Sequence, residues 1–297
     1  MIAIVTDSSA CLYKAEADRL GVTVVPMSYS LPGQPSYNEN YMDTSGNFEM
    51  VIARNLSRLR TSQATFSAFM STFNDLIDSG MQVLCLTISS RLSGTYGNAR
   101  MSAKETDPEN IAVVDTMTTG GGMYMMILEA RRLINQGLSL HETANALRRT
   151  RSRVHTTFTV DDITPLRRSG RLGNVRMSIS TILNIRPVLK CEDGCIVAGG
   201  IARGRHDQYK MLLKTLPAAP CRCVVEGFMA DEYMNELKLR VEAAGHEVCV
   251  RKLGPVLGVH LGIGSLGLPG AKAKRLMPRR NNRFVHIKRA NLYYRKR

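Results

Sequence analysis

The 297-residue sequence contains no tryptophan, and aromatic residues make up only 6% of it. It has no run of about 18 apolar residues, which excludes a helix built to cross a bilayer. Cysteine is scarce and scattered, with seven residues at 11, 85, 191, 195, 221, 223 and 249. An odd, dispersed set argues against a disulfide framework and for a reducing compartment. Neither close pair, Cys191/Cys195 or Cys221/Cys223, has the two-residue spacer of a zinc knuckle, and no two histidines stand at i, i+4. No metal or other cofactor is expected. Met1 to Asp7 reads as a strand, with no signal-peptide pattern, so a cytoplasmic protein is expected. Phosphate signatures are missing too. Asp115 to Gly122 lacks both the glycine spacing of a dinucleotide fingerprint and the Gly-Lys-Ser/Thr ending of a P-loop.

Apolar residues reach 44%, enough for a substantial core, and 16 are methionine, whose flexible thioether fills irregular apolar space. The net charge of +15 is concentrated at one end. Residues 269–297 hold eleven Lys/Arg and no acid, so removing them leaves +4 for residues 1–268. This segment reads as a basic tail, disordered or loosely attached. Such a tail offers salt-sensitive, sequence-independent attraction to polyanions and, at most, peripheral contact with anionic membranes. No specific nucleic-acid binding is expected of the body.

Residues 2–6, 22–27, 82–88 and 111–114 are continuous apolar runs, the pattern of parallel strands covered on both faces. Helical patterns at 11–20, 65–78, 94–104 and 121–136 alternate with them, so residues 1–150 read as a doubly wound α/β domain. A helix at 140–152 leads to a different pattern. Strands at 155–160, 221–228 and 247–252, helices at 162–168, 176–184, 205–216 and 231–244, and a hairpin at 187–200 around Asp193-Gly194 suggest an α+β domain over 151–268.

Two hydroxyl-rich segments stand at helix starts. Thr61-Ser62-Gln63 precedes the helical pattern at 65–78, so either hydroxyl can act as its N-cap. Ser89-Ser90-Arg91-Leu92-Ser93-Gly94-Thr95 follows the strand at 82–88. In an open parallel sheet, ligands bind beyond the carboxyl ends of the strands, and free amides with hydroxyls there make an anion site without a cation. The spacing is not that of a nucleophile elbow. Asp7 reads as a brace for neighbouring loops. Gly254 to Gly264 places four glycines around His260, which reads as a loop with close backbone approaches.

Taken in order, Ile2-Ala3-Ile4-Val5-Thr6-Asp7-Ser8-Ser9, Thr61-Ser62-Gln63, Ser89-Ser90-x-Leu92-Ser93-Gly94-Thr95, Val113-Val114-Asp115-Thr116, Leu166-Arg167-Arg168-Ser169-Gly170-Arg171-Leu172, Leu183-Asn184-Ile185-Arg186-Pro187, Ala202-Arg203-Gly204 and Gly254-Pro255-x-x-Gly258-x-His260 resemble the DegV family over about residues 1–268. The sequence departs from the family at Ala64, where proline is usual, and at Leu261-Gly262-Ile263-Gly264, where Thr-Gly-Pro-Gly is usual. The resemblance implies a two-domain, non-enzymatic lipid carrier with a long-chain fatty acid such as palmitate between the domains. It implies that Thr61 and Ser93 hydrogen-bond the carboxylate, with Ser62 and the Gly94 amide as further donors and His260 beside the head group. It also implies that some members present the acyl carboxylate to a separate fatty-acid kinase, with Arg203 and Arg171 as candidate partner contacts. Leu, Ile and Met within 66–77, 123–128 and 177–185 are available to line the tail or to fill the core. A different function class, an acyl-ester hydrolase or acyltransferase using Ser93 with His260, requires those two side chains within about 3 Å of each other.

Overall fold

The computed structural model describes residues 1–44, 48–172 and 185–271. The chain begins β1 (Ile2–Asp7), α1 (Lys14–Leu20), β2 (Val22–Val25), β3 (Met27–Ser30), β4 (Tyr37–Glu39), α2 (Phe48–Asn55), β5 (Arg60–Ser62), α3 (Phe66–Asp78) and β6 (Gln82–Thr87). It continues through α4 (Thr95–Thr106), β7 (Ile111–Asp115), α5 (Gly120–Asn135) and α6 (Leu140–Thr150). The first sheet is parallel throughout, in the order β2-β1-β6-β7. Alternate strand residues enter two different cores. Ile4, Leu84 and Val114 pack with α1, α5 and α6, whereas Val5, Cys85 and Val113 pack with α3 and α4. Both faces are therefore covered, as continuous apolar strands require.

The remaining elements are β8 (Val154–Thr159), α7 (Thr164–Ser169), β9 (Ile185–Glu192), β10 (Cys195–Arg203), α8 (Gly204–Leu213), β11 (Arg222–Phe228), α9 (Asp231–Ala243), β12 (Glu247–Lys252), α10 (Pro255–Leu261), β13 (Ser265–Gly267) and β14 (Gly270–Ala271). They build a mixed sheet in the order β10-β9-β8-β13-β11-β12, with β14 bridging β8 and β11. Among the described strands of this sheet, β11 and β12 are the one pair that runs parallel, joined through α9. Asp193 and Gly194 both take positive φ at the β9–β10 turn, the geometry of a type I′ hairpin.

Several expectations change. The strand expected over 22–27 breaks at Pro26, which cannot donate to a ladder, and β3 then leaves the parallel sheet for a separate three-stranded sheet, β4-β3-β5. Thr61 and Ser62 lie on β5, an edge strand of that small sheet, and the N-cap of α3 is Thr65, whose hydroxyl accepts the Ala68 N–H. Gly254 to Gly264 is not a loop throughout, because α10 occupies its middle. The basic tail begins later than residue 269. Pro269 O accepts the Val224 N–H, and Gly270 and Ala271 are buried in the sheet. The expected helix at 176–184 and the rest of the tail lie outside the described residues.

One buried ion pair ties the two sheets together. Arg251 of β12 grips Glu16 of α1 bidentately at 3.0 and 2.8 Å, and also donates to Cys11 O at 2.7 Å. Its guanidinium lies 3.8 Å from the centre of the Tyr124 ring. Burial pushes the Glu16 carboxyl up, but Arg251 outweighs it and holds Glu16 below its usual value. Removing one partner strands the other charge in the interior. Arg251→Met should therefore lower stability by about 3–5 kcal/mol in urea unfolding, with Glu16→Gln costing less and the double variant less than the sum. An unchanged midpoint for Arg251→Met would show that the pair contributes nothing.

Candidate functional site

Five of the residues singled out by the sequence, Thr61, Ser62, Ser93, Arg171 and His260, converge at one cavity of about 310 Å³, near the lower end of ordinary ligand pockets, roughly 300–1,000 Å³. Thr61 and Ser62 arrive on β5, Ser93 on the loop after β6, and His260 on α10. Leu92, Phe158, Leu166, Val256, Leu257 and Leu266 supply much of the apolar wall.

Each contributing segment is held from behind. The Asn98 side chain donates to Ala64 O at 2.8 Å and Ser102 Oγ to Phe66 O at 2.8 Å, fastening α4 to the segment that leaves β5. Ser93 Oγ accepts the Thr95 N–H at 3.3 Å and pairs with Thr95 Oγ1 at 2.9 Å. The Gln63 side chain lies directly over Gly94, where a β-carbon would come within 2.2 Å of Oε1 unless that flexible side chain moved aside. Asp7 braces the floor, accepting the Ser9 N–H at 3.0 Å and the Ile88 N–H at 2.7 Å. The β9–β10 turn closes one side, where Gly194 O accepts the Ser89 hydroxyl at 2.8 Å.

α10 is positioned at both its start and its middle. Pro255 opens it, and the buried Glu39 carboxylate accepts the Val256 N–H at 2.5 Å. Burial raises Glu39 to about 8. A β-carbon at Gly258 would approach the Phe228 ring to 2.4 Å, so glycine lets the helix lie directly on that ring. His260, near the helix end, places Nε2 2.8 Å from Thr61 Oγ1. Its Nδ1 is buried with no hydrogen-bond partner among the described residues. Burial, then the positive charges of Arg171 and Arg168, lowers its pKa from 6.5 to about 4. The ring is neutral at physiological pH.

Thr61, Ser62, Ser93, His260 and Arg171 all line the cavity, whereas Gly94 is exposed beside it. Arg203 stands apart, exposed at the end of β10. Arg171, a candidate partner contact from the sequence, also lines the cavity. The segments 66–77 and 123–128 do not line this cavity. Phe69, Phe73 and Met123 to Met126 are buried core instead. Of 177–185, only Ile185 is described, and it does not line the cavity either. Sequence reasoning missed the wall from Phe158, Leu166 and Leu266, and missed Thr119, Glu226 and Ser265. A glutamate amid the apolar run 223–228 was the available signal. The Ser93–His260 pairing needed by a hydrolase is not made, since His260 Nε2 pairs with Thr61 and Ser93 with Thr95.

The sequence profile described as "Uncharacterised protein, DegV family" matches residues 1–271. The chain belongs to the DegV family. A DegV domain-containing protein of Halalkalibacterium halodurans is 29% identical over 276 residues, covering 90% of this chain and 97% of that one. A fatty-acid-binding DegV family protein from Thermus thermophilus is 31% identical, with a TM-score of 0.81 over 91% of this chain and 99% of that one. A stearic-acid-binding protein from Eubacterium ventriosum shares the fold at a TM-score of 0.84 and 24% identity, covering 91% of this chain and 98% of that one. The match through residue 271 places β14 within the DegV unit, three residues beyond the expected limit.

The low basicity of His260 is directly measurable in the purified, ligand-free protein. Its ring resonances should titrate with a midpoint near pH 4, against 6.5 for a free ring. Because folding favours the neutral ring, the associated stability is present above pH 6.5 and is lost as pH falls through about 4. A midpoint at or above 6.5 would mean that the ring is solvated.

Proposed function

We propose that this DegV protein binds a long-chain fatty acid such as palmitate. The carboxylate sits at Thr61, Ser93 and His260, and the acyl tail lies in the cavity between the two sheets. The observation that carries this reading is the 2.8 Å pairing of Thr61 Oγ1 with His260 Nε2 in a largely apolar cavity that Ser93 also lines. Hydroxyls and the Gly94 amide offer charge-assisted hydrogen bonds to an anionic head, with Ser62 as a further donor, so the carboxylate exchanges water for fixed donors at modest cost. Arg171 adds a favourable potential at the same site. The 31%-identical Thermus thermophilus protein binds a fatty acid and supports carrying that ligand class to this chain.

Burying a tail of about sixteen carbons is worth roughly 0.8 kcal/mol per methylene, on the order of 10 kcal/mol in total. The tail therefore sets affinity, and the polar head sets orientation. In this reading the protein is a carrier and not itself an enzyme. It offers the acyl carboxylate to a separate fatty-acid kinase subunit, with Arg203 and Arg171 as contacts. The basic segment from residue 272 provides at most peripheral attraction to anionic membranes.

Native mass spectrometry of the purified protein should show one bound fatty acid, recovered by organic extraction. Thr61→Ala combined with Ser93→Ala should lose most of that ligand while its circular dichroism stays native. Stoichiometric lipid retained by the folded double variant would refute the head-group assignment.

A further inference from the structure

A second polar group lies in the cavity, away from Thr61 and His260. Glu226 projects from β11, is buried at 4% exposure, and lines the cavity together with Thr119 and Ser265. Its Oε2 accepts the Gly121 N–H at 2.6 Å, so Glu226 caps the start of α5. Thr119 holds the N-cap position of that helix, yet its hydroxyl makes no capping bond. Thr119 Oγ1 and Ser265 Oγ are both buried without a hydrogen-bond partner among the described residues. Two glycines make room for the carboxyl. A β-carbon at 120 would come within 2.6 Å of Oε2, and one at 267 within 3.0 Å of Oε1.

The location follows from α10. Leu253, just before that helix, donates its N–H to Gly227 O at 2.8 Å, beside Glu226. His260 is near the other end of the seven-residue helix, about 10 Å long at 1.5 Å per residue. Leu253, Val256, Leu257 and His260 all face the cavity, so α10 runs along it from the Glu226 end to the His260 end.

Hydrocarbon packed against this group would leave two hydroxyls and a carboxyl oxygen facing methylenes, which interiors avoid. Burial holds Glu226 at about 7, which keeps it available as an acceptor near neutral pH. From this cluster we infer that Glu226, Thr119 and Ser265 form a subsite for a hydroxyl on the acyl chain, and that the preferred ligand is a hydroxylated long-chain fatty acid. The ligand hydroxyl donates to Glu226 and accepts from Ser265 or Thr119. The inference rests on the fatty-acid reading of the cavity.

The test is competition binding to the delipidated full-length protein, using stearate and a panel of its positional monohydroxy isomers. One isomer should bind at least about tenfold more tightly than stearate, the gain expected of one hydrogen bond to a charged group. The ratio of the two affinities should fall toward one in Glu226→Gln, and also in Thr119→Val with Ser265→Ala, which preserves the Glu226 cap on α5 should the first variant misfold. A merely structural defect would weaken both ligands and leave the ratio intact. If stearate binds at least as tightly as every isomer, or the ratio survives in the variants, the subsite assignment is overturned while the fatty-acid reading stands. Failure of every fatty acid to bind would overturn both.

Discussion

Gly258 lies against the ring of Phe228 with no space between them for a β-carbon, and that contact fixes where α10 runs. Much else depends on it. α10 belongs to the second half of the chain, yet Val256, Leu257 and Val259 enter the same apolar cluster as Phe69 and Phe73 of α3. The helix thus wedges between the two main sheets, adding to the contacts made through α5, the Arg251–Glu16 pair and the β9–β10 turn. A larger residue at 258 would push the helix off Phe228, and His260, only two residues on, would lose its register with Thr61. The cavity and its polar end are by-products of one close approach.

How buried charge is handled follows the same economy. Asp7, Glu39 and Glu226 are each almost fully enclosed, and each accepts a backbone N–H from a segment that borders the cavity or supports it. Among the described residues none of the three forms an ion pair, although Arg251 exerts a favourable field on Glu226. Backbone dipoles stabilise these carboxyls only in part, and burial raises all three. In exchange, each fixes a loop or helix start that apolar packing alone would leave free to slide. Arg251 and Glu16 are the contrasting case, where a full ion pair spans the two sheets and depresses the carboxyl instead.

The doubly wound half was legible because its strands are unbroken apolar runs, a pattern that only two-sided coverage permits. The β9–β10 hairpin was legible from Asp193-Gly194, whose positive φ values suit the turn type. The small sheet β4-β3-β5 was not, because three- and four-residue strands such as Met27–Ser30 carry too few alternations to register as a period. α10 was hidden by its glycines, which read as loop until Phe228 supplies the reason for one of them. The ordered motifs pointed to Thr61, Ser93 and His260, and the structure brings all three to one cavity. The sequence lacked the means to show which apolar residues line it. Phe158, Leu166 and Leu266 face it because of sheet order, and sheet order is a long-range property.

The β9–β10 turn rests on the first half through Ser89 Oγ to Gly194 O, Arg91 Nε to Cys195 Sγ at 3.2 Å, and Cys191 Sγ to Met117 O at 3.3 Å. Two of these three contacts involve sulfur, a weak hydrogen-bonding partner. Lifting the hairpin tip therefore costs far less than parting the sheets, which would expose a buried ion pair and two shared cores. For the fatty acid proposed above, this weak seam beside the cavity is a place where local opening need not disturb the ion pair or the shared cores.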